Sequence, residues 1–179
     1  MPSDLKIVLF PDPRLKKMSQ PVAAFDQELK DLITEMFRLM KEHRGVGLAA
    51  PQVGVNLRLF VMNATGEEGD NRAYVNPQLL DADGEEEGEE GCLSIPGVNA
   101  RIWRSEKLKM VAQDVDGRPF EEIGTDLVAR IWQHETDHLN GTLITERMGP
   151  VARLAARRVL KELTEKYEEA KADKTEKRK

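Results

Sequence analysis

The stretch TDLVARIWQHETDHLNG, residues 125–141, decides how the rest of this sequence is interpreted. Thr125 is a typical helix N-cap, and Gly141 is a typical residue just beyond a helix end. The sequence therefore predicts a helix over about 125–140. Strand-like runs precede this helix and a further helical pattern follows it, an order that suggests an α+β fold.

The same stretch contains the pattern H-E-x-x-H. Because four residues advance an α-helix by about 400°, His134 and His138 project from one face, one turn apart. Two imidazoles in that arrangement can bind one metal ion, and Glu135 is positioned to act on a water bound to the ion. The helix is therefore predicted to carry part of a catalytic metal site.

A third protein ligand remains to be found, because a catalytic site uses three protein ligands and one open position for water. The only other histidine is His43, in the predicted first helix. One alternative is a downstream carboxylate, as in metalloproteases. The candidates of that kind are Glu146, Glu162 and Glu165. The other alternative is the thiolate of Cys92, although a single cysteine is more often an inert core residue. The residues alone leave both alternatives open.

Two other helices are predicted from apolar residues at helical spacing, over about 26–43 and 150–170. The strand-like runs are 57–62, 73–76, 98–103, 107–115 and 119–123. This order predicts an α+β fold in which antiparallel sheets pack around the central metal-binding helix, with helices at the N-terminal and C-terminal ends. No linker or internal repeat divides the chain, so a single domain over 1–179 is expected.

The composition excludes several classes of protein. The chain of 179 residues has 27 basic and 32 acidic side chains, and a net charge of −5 argues against wholesale nucleic-acid binding. No apolar run approaches the roughly 20 residues of a membrane span, and the first residues lack a signal-peptide pattern. One cysteine cannot form an internal disulfide, which is typical of a reducing compartment. We therefore expect a cytoplasmic protein.

Charge is unevenly distributed along the chain. Residues 81–90 hold seven carboxylates, and we expect a solvated, mobile loop there. Residues 151–179 carry ten basic and six acidic side chains. Within them, 171–179 lack apolar anchors and are expected to be a disordered tail.

Three segments together resemble the signature motifs of the peptide deformylase family, in their usual order. They are GVGLAAPQ at 45–52, EGCLS at 90–94 and QHETDHL at 133–139. Metalloproteases that share H-E-x-x-H do not carry the other two motifs. The resemblance covers about residues 1–150. It implies a metal-dependent hydrolase that removes the N-formyl group from the initiator formyl-methionine of nascent polypeptides and releases formate.

By this resemblance, Cys92, His134 and His138 bind one divalent metal ion and a water takes the fourth position. One thiolate and two imidazoles suit Zn and Fe(II) about equally by ligand type. The resemblance implies Fe(II) in the cell, with Zn, Ni or Co as substitutes. A divalent ion held in this way lowers the pKa of its water toward neutrality and gives a nucleophile at about pH 7.

The resemblance also assigns three catalytic groups. Glu135 would accept the proton of the attacking water and later return it to the departing amine. The side-chain amide of Gln52 and the backbone N–H of Leu93 would donate hydrogen bonds to the formyl oxygen, which gains negative charge in the transition state. Arg104 is expected to pair with Glu90 and thereby hold the second motif in place.

Methionine selectivity requires an apolar pocket beside the metal. Helical spacing places three residues on the same helix face as the first metal-binding histidine. One of them, Arg130, could line the pocket with its aliphatic stem, or it could form an ion pair elsewhere. Glycines in the first motif admit a peptide laid beside the chain as an added strand. The predicted substrate-binding residues are Leu127, Arg130, Ile131, Gly45, Val46, Gly47 and Gly91.

The predicted C-terminal helix is basic and could contact ribosomal RNA phosphates, as the resemblance implies for this family, or simply pack on the core. Formyl-methionyl nascent peptides are the expected partners, the protein is expected to be a monomer, and no membrane is involved. Two alternatives of other classes remain. One is a ribosome- or RNA-associated protein that kept the fold but lost catalysis, and the other is a conventional metalloprotease.

Overall fold

The structure is a computed structural model that describes residues 5–176. Within that range the chain forms seven strands and four α-helices. In chain order these are α1 (Gln27–Glu42), β1 (Gly47–Ala49), β2 (Leu59–Met62), β3 (Arg72–Asp83), β4 (Glu86–Gly91), β5 (Asn99–Arg104), β6 (Lys107–Gln113), β7 (Pro119–Thr125), α2 (Asp126–Leu139), α3 (Ile144–Arg147) and α4 (Pro150–Glu176).

Two antiparallel sheets surround α2. The larger has the strand order β1-β2-β3-β6-β7, and the smaller consists of β4 and β5. Helix α2 contacts strands of both sheets, α1 packs on β1 and β2, and α4 packs on β5. The predicted α+β class, with antiparallel sheets around a central helix and helices at both ends, is confirmed.

Helix α1 begins where its capping residue predicts. The Asp26 carboxylate accepts a hydrogen bond from the Leu29 backbone N–H at 3.0 Å, which satisfies one of the free donors of the first turn. One face of the helix is apolar and buried. It consists of Leu29, Leu32, Ile33, Met36, Leu39 and Met40. This face packs against β1 and β2 and orients the chain that enters β1.

Helix α2 ends at a tight turn and packs on the larger sheet through one buried aromatic residue. Thr125 occupies the N-cap position, although its side chain makes no capping hydrogen bond. Gly141 lies beyond the C-terminus with φ of +72°, and a Cβ there would collide with the carbonyl oxygen of Lys16. The Trp132 ring is 1% exposed and meets the Tyr74 ring edge-on at 5.7 Å between centroids. The Trp132–Tyr74 contact helps to fix the helix against the larger sheet.

The acidic run at 81–90 is not the solvated loop that the sequence predicts. Its first three residues end β3, and most of the remainder forms β4, which pairs along its length with β5. Arg101 in β5 lies 2.9 Å from a carboxylate oxygen of Glu87, and Glu90 is buried against Arg104. The prediction is wrong because these arginines, which neutralise the carboxylates, come from a separate segment of the chain.

Helix α4 continues to Glu176 and does not end near residue 170. Residues 171–176, placed by the sequence in a disordered tail, are helical, consistent with the high helix propensity of lysine, alanine and glutamate. The rest of the predicted tail, 177–179, lies outside the described residues. Ala156 and Leu163 are buried, which confirms that one face of α4 packs on the core.

The part of the chain that the structure describes contains no candidate transmembrane helix. None of the helices between residues 5 and 176 combines the length and the apolar composition that a transmembrane span requires.

Candidate metal centre

Three potential metal ligands converge at the centre of the fold. The Nε2 atoms of His134 and His138 lie 3.2 Å apart, and the Cys92 Sγ lies 3.3 Å from the His138 Nε2. Both histidines project from α2, and Cys92 comes from the turn after β4. Two nitrogens bound tetrahedrally at about 2.0–2.1 Å from a metal would be about 3.3 Å apart. The spacing of the two nitrogens therefore suits a single tetrahedral divalent ion, and the Cys92 Sγ lies close enough to be a third donor.

The carboxylates considered as an alternative third ligand lie elsewhere. Glu146 binds Lys16 and the Leu143 backbone N–H. Glu162 pairs with Arg158, and Glu165 pairs with Lys161. Within residues 5–176, no other set of three His, Cys, Asp or Glu side chains is arranged to hold a metal ion. The geometry therefore favours Cys92 over the downstream glutamates.

Glu90 fixes the orientation and the tautomer of the first histidine. Its carboxylate lies 2.9 Å from the His134 Nδ1 and also accepts two hydrogen bonds from Arg104, at 2.8 and 3.0 Å. Burial alone would raise the pKa of Glu90, but the hydrogen bonds from His134 and Arg104 outweigh burial and hold the pKa at about 2. An ionised carboxylate can only accept, so the Nδ1 is the donor, and in the neutral imidazole the Nε2 then carries the lone pair that a metal would bind.

Burial favours the neutral form of His138, which is the form that can bind a metal ion. The side chain is 1% exposed, and burial lowers its pKa well below the usual histidine range. Its Nδ1 has no hydrogen-bond partner among the described residues. A neutral imidazole is the form that binds a metal ion.

Glu135 lies between the two histidines on α2 and is almost fully buried. Burial raises the pKa of its carboxyl group to about 7, and the nearby carboxylate of Glu90 adds to the shift. One carboxylate oxygen has no hydrogen-bond partner in the described part of the chain. A Cβ at Gly47 would overlap this carboxylate, so only glycine leaves it room. A carboxyl group with a pKa near neutrality can both take up and return a proton at physiological pH.

Gln52 has its amide group fixed in one direction. The Oε1 accepts a hydrogen bond from the Ala49 backbone N–H at 2.9 Å, so the Nε2 points the other way. The Nε2 lies 3.2 Å from the Ser94 Oγ and 3.6 Å from the Cys92 Sγ. The backbone N–H of Leu93, next to Cys92, donates to no protein acceptor within residues 5–176. Two N–H donors therefore lie beside the candidate metal centre.

A cavity of about 330 Å³ is lined by Cys92, His134 and Glu135 of the candidate metal centre. All seven residues predicted to bind substrate line it: Gly45, Val46, Gly47, Gly91, Leu127, Arg130 and Ile131. For Arg130, both predicted possibilities, lining the cavity and forming an ion pair, occur together. It lines the cavity, while its guanidinium donates to Glu90 at 3.0 Å and to the Ile102 carbonyl at 2.9 Å. The predicted pair of Arg104 with Glu90 is confirmed as well.

Sequence reasoning missed five other residues of the cavity wall. They are Arg44, Glu89, Gly97, Val98 and Asn99. Asn99 begins β5, and the pairing of β4 with β5 brings it over the cavity. Arg44 follows the end of α1 with φ of +56°. No local sequence pattern marks these residues. Their position in the cavity wall depends on the pairing of β4 with β5 and on the change of chain direction after α1.

The chain resembles known proteins over most of its length. The family model described as polypeptide deformylase matches residues 4–154. The chain is 45% identical over 144 residues to the peptide deformylase of Chromobacterium violaceum. This alignment covers 80% of this chain and 86% of that protein. It matches a crystal structure of a peptide deformylase from Legionella pneumophila at 45% identity and a TM-score of 0.85, over 94% and 97% of the two chains. A peptide deformylase from Plasmodium falciparum matches at 37% identity and a TM-score of 0.89, over 91% and 97%.

Proposed function

The chain belongs to the peptide deformylase family, and on this premise we infer that it is a hydrolase that removes the N-formyl group from the initiator formyl-methionine of nascent polypeptides and releases formate. One observation carries the inference for this chain. A thiol and two imidazole nitrogens converge within 4.8 Å of one another, beside a buried glutamate and a cavity.

We propose that Cys92, His134 and His138 hold one divalent metal ion. When bound, such an ion acts as a Lewis acid that makes water nucleophilic near neutral pH. The donor set of one thiolate and two imidazoles suits several divalent ions. Following the family resemblance, we propose Fe(II) in the cell, with Zn, Ni or Co as substitutes.

The protein groups around the site account for the movement of protons and charge. Glu135 takes a proton from the attacking water as the water oxygen bonds to the formyl carbon. The formyl oxygen then carries negative charge and receives hydrogen bonds from the Gln52 Nε2 and the Leu93 N–H. Glu135 returns the proton to the amine nitrogen as the carbon–nitrogen bond breaks. The products are formic acid and a free N-terminal amine, and the acid ionises to formate by giving its proton to the amine or to solvent, so all atoms are accounted for.

We propose that the cavity receives the methionine side chain. Ile131 is buried in its wall, and Leu127 and Val46 line it while remaining about half exposed. We propose that these apolar side chains contact the methionine thioether, and that Gly45, Gly47 and Gly91 leave room for the peptide backbone. Arg130 acts there through its stem, because its guanidinium is already bound to Glu90.

The alternatives of other classes fit less well. A conventional metalloprotease would need a downstream carboxylate at the metal, and the three candidates make ion pairs away from it. A binding protein that had lost catalysis would have no need of a buried glutamate with an unpaired oxygen at the cavity wall. We propose a single catalytic domain that acts as a monomer in the cytoplasm.

Contact with the ribosome is a separate proposal. Basic residues of α4 point to solvent, and Val151 and Leu154 on the same helix are 84% and 70% exposed. Cations on such a surface could bind RNA phosphates. We propose that the exposed side of α4 makes this contact while its buried side packs on β5.

Formate release from formyl-methionyl peptides tests the proposed function directly. The protein is purified without oxygen, because a thiolate and a ferrous ion are both sensitive to oxidation. The bound metal is then identified by elemental analysis. We expect formate in step with new N-terminal amine, and no cleavage of the same peptide without its formyl group. Cleavage of unformylated peptides faster than deformylation would overturn the proposal.

A further inference from the structure

Four charged side chains, called here the ion-pair chain, connect the surface to the candidate metal centre. In order they are Arg147, Asp137, Arg104 and Glu90. Arg147 binds both carboxylate oxygens of Asp137, at 2.7 and 3.0 Å, and Arg104 reaches the same carboxylate at 2.7 Å. Arg104 then binds both oxygens of Glu90, which contacts the His134 Nδ1 at 2.9 Å. The Arg147 side chain is 48% exposed, and the other three are at most 12% exposed.

Glu90, at the inner end of the ion-pair chain, has its carboxylate orientation restricted by four hydrogen-bond donors. One oxygen accepts from Arg104 and Arg130, and the other accepts from Arg104 and His134. A carboxylate offers about four lone-pair directions, and four donors occupy them here. The direction of the Glu90 carboxylate, and therefore the rotation of the His134 ring, depends on where the Arg104 guanidinium lies.

Asp137 occupies an unfavourable place for a negative charge. It lies in the last turn of α2, where the helix dipole is negative, and it is largely buried. Arg147 is the partner of both its oxygens, and Arg104 shares one of them. Without Arg147, the Asp137 carboxylate would keep one cation and could turn towards solvent. The Arg104 Nη1 would then lose its fixed partner.

The outer arginine is held by a well-anchored segment. Leu143, Ile144 and Met148 flank it and are each 2% exposed. The Glu146 carboxylate accepts a hydrogen bond from the Leu143 backbone N–H at 2.9 Å, which closes the first turn of α3. The backbone of Arg147 is therefore fixed relative to α2, and its guanidinium can act as a fixed support for Asp137.

We propose that Arg147, which lies outside the three sequence motifs, is a positioning residue for the metal ligand His134 and acts through the ion-pair chain. The inference rests on the proposed metal site. Removing the outer cation shifts Asp137, then the Arg104 guanidinium, then the Glu90 carboxylate that orients the His134 ring. The effect is on metal affinity and ligand geometry, and no contact between Arg147 and the substrate is required.

The test compares metal binding by full-length variants. Arg147→Met keeps an unbranched stem but removes the charge. Arg38→Met is the matched control, because Arg38 binds both oxygens of Glu35 at 2.7 and 2.9 Å and is 53% exposed, away from the metal centre. Each protein is loaded with Co(II), and its affinity is measured by competition with a chelator well below the unfolding temperature. The visible absorption of bound Co(II) reports ligand geometry.

We expect Arg147→Met to raise the Kd for Co(II) about 5- to 10-fold and to shift the absorption bands. This lies at or just below the lower limit of the roughly 10- to 100-fold range for direct outer partners of metal ligands, because the contact is indirect. Arg147→Lys, which keeps a charge but makes fewer bonds, should give an intermediate Kd. Arg38→Met should leave both readouts unchanged.

A purely structural role for Arg147 predicts a different pattern. The Arg147→Met apoprotein would then unfold at lower temperature, while its Kd and spectrum matched those of the parent protein and of Arg38→Met. That result would overturn the proposal. The test uses no formylated peptide, so a failure of the parent protein to release formate would refute the proposed function and leave this inference to be judged by the Co(II) affinities alone.

Discussion

Substitution of Gly47 by alanine tests whether the place of Glu135 is set by the lack of a side chain opposite it. An alanine Cβ would lie 2.8 Å from the Glu135 Cδ and closer still to one carboxylate oxygen. Two carbon atoms in contact are normally about 3.5–4.0 Å apart. The Glu135 carboxylate must therefore move by about 0.7 Å or more, because α2 is packed on both sides and cannot retreat.

The expected cost follows from that displacement. Misplacing a reacting group by about 1 Å can lower the rate about 100-fold, which corresponds to about 2.7 kcal/mol in the activation free energy. We therefore expect Gly47→Ala to lower kcat for formate release about 100-fold. Metal content should not change, because the three atoms nearest to the alanine Cβ all belong to Glu135 and none to a proposed metal ligand.

Gly69→Ala provides the control, since a Cβ at Gly69 meets no atom within 4 Å. Both variants are assayed for formate release, bound metal and thermal unfolding under the same conditions. A Gly47→Ala protein that is folded, fully loaded with metal and within 3-fold of the parent kcat would refute the reasoning. The Glu135 carboxylate would then work from a displaced position, and its place in the structure would not be what catalysis requires.

Three further substitutions test the other groups. Cys92→Ala removes one of three ligands, so elemental analysis should find the metal lost or bound far more weakly. Glu135→Gln keeps the shape of the side chain but removes the proton acceptor, so metal content should persist while kcat falls about 10²- to 10⁴-fold. Gln52→Leu removes one donor to the developing oxyanion, so kcat should fall about 10²- to 10³-fold while KM changes little.

Each of these three predictions has an outcome that would contradict it. Full metal occupancy in Cys92→Ala would remove that residue from the ligand set. Unchanged turnover by Glu135→Gln would rule out the proposed base. A rise in KM with no change in kcat for Gln52→Leu would mean that the amide binds the ground state and the transition state equally well.

Local signals predicted the helices well. The Asp26 cap and the apolar stripe of α1 lie within one segment, and so does the His134 to His138 spacing on α2. Each of these features depends on residues a few positions apart, for which the helix geometry is fixed. The sequence therefore predicted correctly that both imidazoles face one point.

Features that depend on pairing between distant segments were not predictable in the same way. The acidic run looked like a loop because nothing within it reveals the arginines that β5 supplies. The three-residue strand β1 is too short to carry an alternating pattern. Arg147 gave no signal at all, because its importance lies in a contact with Asp137 across a helix boundary.

The division of the proposed metal ligands between two elements has a consequence for metal exchange. Both imidazoles project from one helix, whose rise and twist per residue fix the relation between them. The thiol comes from the turn after β4. The β4 strand is bound to α2 through the side chain of Glu90, which contacts His134 and Arg130, and not through a shared backbone hydrogen-bond ladder. For the proposed metal site, we therefore expect ions of different radius to be accommodated mainly by small movements of this turn. We expect substitutions around residues 91–95 to alter the selectivity among divalent ions while the helix stays intact.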